Sequence, residues 1–166
     1  MKKKIIQFVA ITVILFITAS VYSADLFGAK GAEATPDPTL QQMLTYAIQD
    51  EYLARAEYEL IIEKYGAMRP FTNIVKSEGT HINMLIPLFD KYGFPVPEDT
   101  AKDHVVLPKD LKEAFETGVQ AEIGNIAMYE KFLKNELSDD VRDVFQRLRD
   151  ASGNHLRSFQ NGLSRY

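Results

Sequence analysis

The sequence carries one pattern twice, as FTNIVKSEGTH at residues 71–81 and as FQRLRDASGNH at residues 145–155. Each copy begins with Phe, places an aliphatic residue three positions later, and ends with Gly and His at the same spacing. Apolar residues three and four positions apart are typical of a helix that buries one face. Glu78 and His81 are three residues apart in the first copy and therefore share that face. The repeat predicts helices with polar groups at the centre of their buried faces.

A second pattern precedes each copy. Glu51 is followed seven residues later by Tyr58, and Glu122 is followed by Tyr129 at the same spacing. Core positions at alternating spacings of three and four trace a helix through each of these stretches, with polar residues in the middle and apolar residues at both ends. The chain therefore looks like one helical hairpin repeated.

Local signals predict the ends of four helices. Thr39 and Gln42 form a capping-box pattern, Ser138 is a predicted N-cap, and Pro87 predicts a kink or a break inside the second helix. The predicted helices cover residues 39–66, 70–93, 108–134 and 138–161. The connection at 94–107 is long and polar, whereas the other two connections are short. The predicted fold is all-α, an antiparallel four-helix bundle with one long crossover between helices two and three.

The N-terminus is predicted to direct export. Three lysines follow Met1, and an apolar run from 5 to 18 follows them, which is the layout of a signal peptide. The run is short for a membrane span. We expect a signal peptide at 1–23, with cleavage as late as residue 34 as a second position, a linker at 24–38 and the bundle at 39–166. The expected location is periplasmic or secreted, and an uncleaved N-terminal anchor is the alternative.

Composition limits the classes of function. The 166 residues are 46% hydrophobic, enough for one domain with an ordinary core. The absence of Cys excludes disulfides and thiolate ligands. Residues 35–166 keep 15 basic and 21 acidic side chains, a formal charge of −6, which argues against a nucleic-acid partner. Lysines of the third helix, Lys109, Lys112, Lys131 and Lys134, are expected to be solvated, as is His104 in the crossover.

The polar residues of the core predict a metal site. Three carboxylates in one buried layer repel one another, and no Lys or Arg shares their core positions, so a cation is expected between them. Carboxylate and imidazole donors favour iron, manganese or zinc. The predicted ligands are Glu51, Glu78, His81, Glu122 and His155. The predicted residues around them are Tyr58, Tyr129, Asn125 and Ser152. A buried polar network without metal is the alternative.

Four motifs carry a resemblance to a known family. They are Asp50-Glu51-Tyr52-x-Ala54, Phe71-x-Asn73-Ile74-x3-Glu78-x2-His81, Glu122-x6-Tyr129 and Ser152-x-Asn154-His155-Leu156-x2-Phe159. Over residues 39–163 the chain resembles the ferritin-like superfamily, and more closely its exported branch called domain of unknown function 2202. The resemblance implies a di-iron carboxylate site with Glu51, Glu78, His81, Glu122 and His155 as ligands. Ser152 departs from it, because ferritin-like sites carry a second, usually bridging Glu there.

These features lead to a functional hypothesis with two alternatives. We expect an exported oxidoreductase whose iron site, of two ions, acts on oxygen, peroxide or Fe(II), with zinc or manganese as other candidate metals. The first alternative is a non-catalytic protein that binds or carries iron or zinc. The second is a structural bundle without metal. The expected partners are metal ions and small oxidants, and the oligomeric state is left open.

Overall fold

The computed structural model describes residues 26–166, and its regular elements are all helical. The helices are α1 (Gly28–Ala34), α2 (Leu40–Tyr65), α3 (Phe71–Tyr92), α4 (Leu111–Phe132) and α5 (Asp139–Leu163), with a short 3-10 helix at Ala101–Asp103 in the crossover. The prediction of an all-α fold is confirmed. The signal peptide predicted at 1–23 lies outside the described residues. Within residues 26–166, no helix combines the length and the apolar character that a membrane span requires.

The ends of the long helices agree with prediction to within three residues, and the caps explain the differences. The capping box of Thr39 and Gln42 is confirmed. Asp110 accepts a hydrogen bond from the Glu113 amide, so α4 starts later than predicted. The Ser138 side chain makes no capping bond, and its hydroxyl lies 2.5 Å from the Tyr92 hydroxyl instead.

Pro87 does not break α3, which continues to Tyr92. Proline removes the amide that would bond to the carbonyl of Asn83, four residues earlier. Both Pro87 and Asn83 are exposed, so water can satisfy that carbonyl. The predicted break is absent because the lost hydrogen bond lies on the solvent side of the helix.

Two cross-bundle pairs define the directions of the helices. Tyr58 of α2 contacts Glu122 of α4, while Glu51 contacts Tyr129, so α2 and α4 run antiparallel. The short connections make α3 antiparallel to α2 and α5 antiparallel to α4. The long crossover therefore joins two helices that run in the same direction, α3 and α4.

The apolar core is divided by a polar layer. One cluster at one end of the bundle includes Tyr58, Ile61, Phe71, Phe115 and Phe159. A larger cluster at the other end includes Leu44, Ile48, Leu85, Phe132, Phe145 and Leu148. The buried polar residues of all four long helices lie between these clusters, where apolar packing on both sides keeps them from water.

The segment predicted as a linker contains α1, which packs against α2 and α4. Ala32 is fully buried, and Lys131 donates hydrogen bonds to the carbonyls of Ala32 and Thr35 at 2.6 Å. Lys131 was predicted to be an ordinary solvated lysine, and this prediction is corrected because its ammonium group binds the C-terminal end of α1. A chain cut after residue 34 would lack this helix and its contacts.

The start of α1 and the crossover also contact each other. The Phe27 ring stacks on the His104 ring with centroids 4.1 Å apart. His104 is therefore half-buried, which corrects the prediction that it is solvated. Gly28 has φ of +56°, and a Cβ at this position would lie 2.5 Å from the Asp50 Oδ1. Only glycine fits this approach of α1 to α2.

Candidate metal centre

All five residues predicted as ligands lie together in the polar layer. Their exposed fractions range from 1% for Glu51 to 8% for His155. They come from the core-facing positions of four helices, with Glu51 on α2, Glu78 and His81 on α3, Glu122 on α4 and His155 on α5. The spacing of three residues between Glu78 and His81 directs both side chains into the same layer.

The donor atoms form two groups that share Glu78, and each group could hold a metal ion. In the first group, His81 Nδ1 lies 3.0 Å from Glu51 Oε2 and 2.7 Å from Glu78 Oε2. In the second, His155 Nδ1 lies 3.3 Å from Glu78 Oε1 and 3.5 Å from Glu122 Oε1. The ligand atoms within each group lie within 4.8 Å of one another. Because a metal–ligand bond is about 2.0–2.2 Å long, such atoms can meet at one ion after small adjustments.

The geometry of Glu78 differs from that of the other two carboxylates. Its Oε2 faces His81 and its Oε1 faces His155, so each group receives one oxygen. The two imidazole rings lie on either side of it, with centroids 5.6 Å apart. Glu78 could therefore give one oxygen to an ion in each group, while Glu51 and Glu122 each belong to one group.

The two histidines of the centre can carry positive charge. Burial alone would lower the pKa of both histidines, but contacts with Glu51 and Glu78 raise the pKa of His81 to about 10. Contacts with Glu122 and Glu78 raise the pKa of His155 to about 9. Imidazolium groups therefore neutralise part of the carboxylate charge. The sequence argument for a cation did not consider this source of positive charge. A metal ion must displace these protons to bind.

The carboxyl groups respond to burial in different ways. Burial raises the pKa of Glu51 and of Glu122. Burial opposes the ionisation of Glu78 as well, but hydrogen bonds from the rings of His155 and His81 outweigh it and lower the pKa of Glu78. Glu78 is therefore the most firmly ionised member of the centre.

Two tyrosines hold the outer carboxylates in a crossed arrangement. The Tyr58 hydroxyl donates to Glu122 Oε1 at 3.0 Å, and the Tyr129 hydroxyl donates to Glu51 Oε1 at 2.7 Å. Burial raises the pKa of both hydroxyls well above their ordinary value, so they stay protonated and act as donors. Each hairpin thus orients a carboxylate of the other hairpin.

Ser77 is a supporting residue that the sequence analysis missed. Its hydroxyl lies 3.2 Å from His81 Nε2, one turn away on α3. This contact occupies the ring nitrogen that faces away from the carboxylates and fixes the orientation of the ring. The signal was present in the sequence, because Ser77 and His81 are four residues apart and share a helix face.

Ser152 and Asn125 belong to a hydrogen-bonded chain beside the centre. Ser152 donates to Asn125 Oδ1 at 2.6 Å, and Asn125 donates to Asp50 Oδ2 at 2.8 Å. Asp50 also accepts a hydrogen bond from the Ala29 amide at 2.8 Å. Burial raises the pKa of Asp50 to about 6, although these two hydrogen bonds favour its ionised form. These hydrogen bonds connect Ser152, which stands at the position of Glu78 in the second copy of the repeat, to the start of α1.

Comparison with known proteins agrees with the motifs of the sequence. The family model described as an uncharacterized protein domain, DUF2202, matches residues 41–165. The chain belongs to the DUF2202 family. It is similar to "Uncharacterized protein MJ0754" of Methanocaldococcus jannaschii, with 29% identity over an alignment of 133 residues that covers 71% of each protein.

A solved structure is also similar to this DUF2202 member. It is the crystal structure of hypothetical protein MJ0754 from Methanococcus jannaschii, with a TM-score of 0.69 and 26% sequence identity. The match covers 80% of this chain and 86% of that chain. The helical architecture is therefore shared across most of both proteins.

A cavity of about 480 Å³ lies beside the centre of this DUF2202 member, between α1, α2, α4 and the crossover. Its lining includes the centre residues Glu51, Glu78 and Glu122. It also includes Glu57, which is 8% exposed and has no hydrogen-bond partner at Oε1. Burial and the nearby carboxylates of Asp50 and Glu122 raise the pKa of Glu57 to about 7.

Asp50 and Glu57 were missed because they lie outside the single core face that was traced along α2. They are seven residues apart and form a second stripe, in which both acids are buried and Ala54, which also belongs to the traced face, is half-buried. That stripe is covered by α1 and the crossover, which the sequence analysis treated as irregular chain. Seven-residue spacing of two acids was the available signal, but exposed faces of helices show the same spacing.

Proposed function

We propose that this chain is an exported, ferritin-like metalloprotein that binds two iron ions and reacts with oxygen, peroxide or external Fe(II). The observation that supports it is the pair of three-donor groups that share Glu78, each with its own histidine. Di-iron carboxylate bundles take one Glu from each of two helices and a Glu-x-x-His pair from each of the other two, and this chain follows that pattern at every position except Ser152. Manganese or zinc would suit the same donors, so the metal itself must be measured.

The directions of the helices support the ferritin-like part of the proposal. Two antiparallel hairpins are joined by a crossover between helices that run in the same direction. Among bundles, one long crossover of this kind distinguishes the ferritin-like connectivity from a simple up-down-up-down design. The repeat of Glu and Tyr in α2 and α4, and of His in α3 and α5, places equivalent groups on both sides of the bundle.

The roles of the residues follow from their contacts. Glu51, His81 and one oxygen of Glu78 would hold one ion, and Glu122, His155 and the other oxygen of Glu78 would hold the second. When bound, iron supplies one-electron redox chemistry and coordination positions that a small oxidant can occupy. Both histidines release their protons to serve as ligands. The two apolar clusters exclude water from above and below the layer.

Export and partners are part of the proposal. A signal peptide at residues 1–23 would deliver the bundle to the periplasm or the outside of the cell, or leave it attached by an N-terminal anchor. The acidic charge of the remaining chain favours metal cations over nucleic acid as partners. Small oxidants are the other proposed partners.

Ser152 favours one alternative, a non-catalytic protein that binds or carries iron or zinc. Its hydroxyl is engaged with Asn125, and no carboxylate opposes Glu78 from α5. A site with one shared carboxylate holds fewer negative charges around two ions than a site with two. The second ion would then bind more weakly, and a single tightly bound ion would be the working state.

The test is metal content followed by reaction with oxygen. We expect about two irons per chain, the number that two donor groups would hold, in protein purified from its own cells without added metal. We also expect rapid oxygen consumption when Fe(II) is added to metal-free protein. Tight binding of one iron or zinc without oxygen consumption would support the carrier. Absence of stoichiometric metal would support a structural bundle. Loss of stoichiometric metal in both Glu51→Ala and His155→Ala would contradict it.

A further inference from the structure

The cavity beside the centre is larger than the proposed function needs. Dioxygen, peroxide and a metal ion each require only a narrow passage, whereas about 480 Å³ is the size of a site for a small organic molecule. The inner end of the cavity is formed by carboxylates of the centre, and Val106 and Leu107 of the crossover form part of its outer wall. Val106 is 81% exposed, so this wall borders solvent.

The walls of the cavity are mainly apolar. The apolar side chains come from α1, α2, α4, the crossover and the residue before α1, and they include Phe27, Ala29, Leu53, Val105, Leu107 and Ala121. Such walls favour a ligand with a hydrocarbon part, since they offer few hydrogen bonds to a polar molecule.

The carboxylates of the lining differ in whether they have partners. Asp50 accepts hydrogen bonds from Ala29 and Asn125, and Glu113 accepts one from the Lys109 amide at 2.6 Å. Glu57 alone among the described buried side chains has an oxygen without a partner. A buried carboxyl oxygen without a partner is costly, and a positively charged donor would remove that cost.

We propose that this cavity binds a small organic cation, with an ammonium group on Glu57 and an alkyl part against the apolar walls. The described lining holds two basic side chains, the exposed Lys30 and His104, which stacks on Phe27. Six carboxyl side chains line the same cavity, so its interior is acidic. An anion would meet the carboxylates of Glu57 and of the centre. A neutral alcohol would leave the negative charge near Glu57 without a counterion. Binding does not require the metal, so this proposal goes beyond the redox function and can stand without it.

The test is calorimetric titration of the purified protein with butylammonium and hexylammonium chloride, using hexanol and hexanoate as probes of equal chain length. We expect one saturable site for the ammonium ions, tighter for the longer chain. Glu57→Gln should weaken hexylammonium binding by about tenfold or more, because a hydrogen bond to a charged partner is lost. The matched control is Glu59→Gln, an exposed acid two residues away on α2, which should bind as the unmodified protein does. Ala121→Phe should fill the cavity and weaken every probe.

The titration is made on the protein as purified and again after chelation, with metal content measured on the same samples. Loss of the proposed metal function would appear in the metal content and leave hexylammonium binding intact. The proposal is overturned if hexylammonium does not bind, if hexanol or hexanoate binds as tightly, or if Glu57→Gln binds like Glu59→Gln. The last result would mean that the ammonium group uses the carboxylates of the centre instead.

Discussion

The two hairpins place Glu, Tyr and His at equivalent positions but differ in the residues beside those positions. Glu51 and Tyr58 of α2 correspond to Glu122 and Tyr129 of α4, and His81 of α3 corresponds to His155 of α5. Among the positions beside them that break the repeat, Ala54 and Asn125 place the more polar residue in the second hairpin, whereas four pairs place it in the first. These four pairs are Asp50 and Ala121, Glu57 and Met128, Ser77 and Ala151, and Glu78 and Ser152.

This difference between the hairpins separates a residue that both donor groups use from residues that act in the first hairpin alone. The shared carboxylate comes from α3 alone, so both donor groups depend on Glu78. Asp50 faces α1, and Glu57 faces the cavity. The second hairpin has Ala121 and Met128 at those positions, which pack without hydrogen bonds. The repeated residues and the unrepeated Glu78 therefore build the centre, while the unrepeated Asp50 and Glu57 connect it to α1 and to the cavity.

The largest expected effect is that of removing the shared carboxylate. Glu78→Gln should abolish stoichiometric binding of both ions, since each donor group loses an anionic ligand. Metal content by mass spectrometry after equilibrium dialysis measures it. His81→Ala and His155→Ala are the comparison, and each should remove one ion. Retention of one tightly bound ion in Glu78→Gln would show that the hairpins hold metal independently.

The next effect concerns the crossed tyrosines, which make the hairpins depend on each other. Tyr129→Phe and Tyr58→Phe should each weaken metal binding about 10- to 100-fold, because a carboxylate loses the donor that orients it. Competition with a chromophoric chelator gives the affinities. Tyr46→Phe is the control, because its hydroxyl bonds to Thr35 rather than to the centre. Equal affinities in all three variants would rule out the orienting role.

The third expected effect is a pH-dependent change in stability caused by Glu57, which has no acidic counterpart in the second hairpin. The pKa of Glu57 is about 7 in the folded chain and near 4.5 when exposed. Its ionisation therefore costs stability as pH rises from about 4.5 to 7. Glu57→Gln should raise the free energy of unfolding of metal-free protein by about 1–3 kcal/mol at pH 8 and by little at pH 4. Urea unfolding at both pH values measures it, with Glu59→Gln as the exposed control. A gain that does not depend on pH would contradict burial of an ionisable Glu57.

The smallest expected effect concerns Ser77. Ser77→Ala should weaken binding only severalfold, and only at the ion held by His81, because the ring loses one orienting contact. Ala151→Ser, the reciprocal change in the second hairpin, should leave the first ion unaffected. Stepwise titration with zinc distinguishes the two ions. Equal weakening of both ions by Ser77→Ala would indicate that the groups do not behave as separate sites.

Much of the fold could be predicted from the sequence because its signals are local. Capping by Thr39 and the spacing of apolar residues depend on neighbours within a few positions along the chain. The end of α2 at Gly66 was predicted for the same reason. The start of α4 was predicted three residues early, because the cap at Asp110 competed with Pro108 as a start signal.

The region before residue 39 could not be predicted in the same way. Helix α1 has seven residues and includes two glycines, so it has little helical preference of its own. It is stabilised by contacts distant in sequence, from Asp50 at its first turn and from Lys131 at its last. Neither contact is visible as a pattern of neighbouring residues in the sequence. The cavity could not be predicted for the same reason.

By itself, the sequence determined that five carboxylate and imidazole side chains occupy the middle of four buried helix faces, since helical spacing fixes the face of every residue. Only the tertiary structure decided that these five side chains form two donor groups that share Glu78. The crossing of the hairpins gives one oxygen of Glu78 to each histidine, and it pairs Tyr58 with Glu122 and Tyr129 with Glu51. It also brings α1 and the crossover over α2, which buries Glu57 against a cavity. These contacts join residues far apart in the chain, so they depend on how the helices pack rather than on the pattern within any one of them.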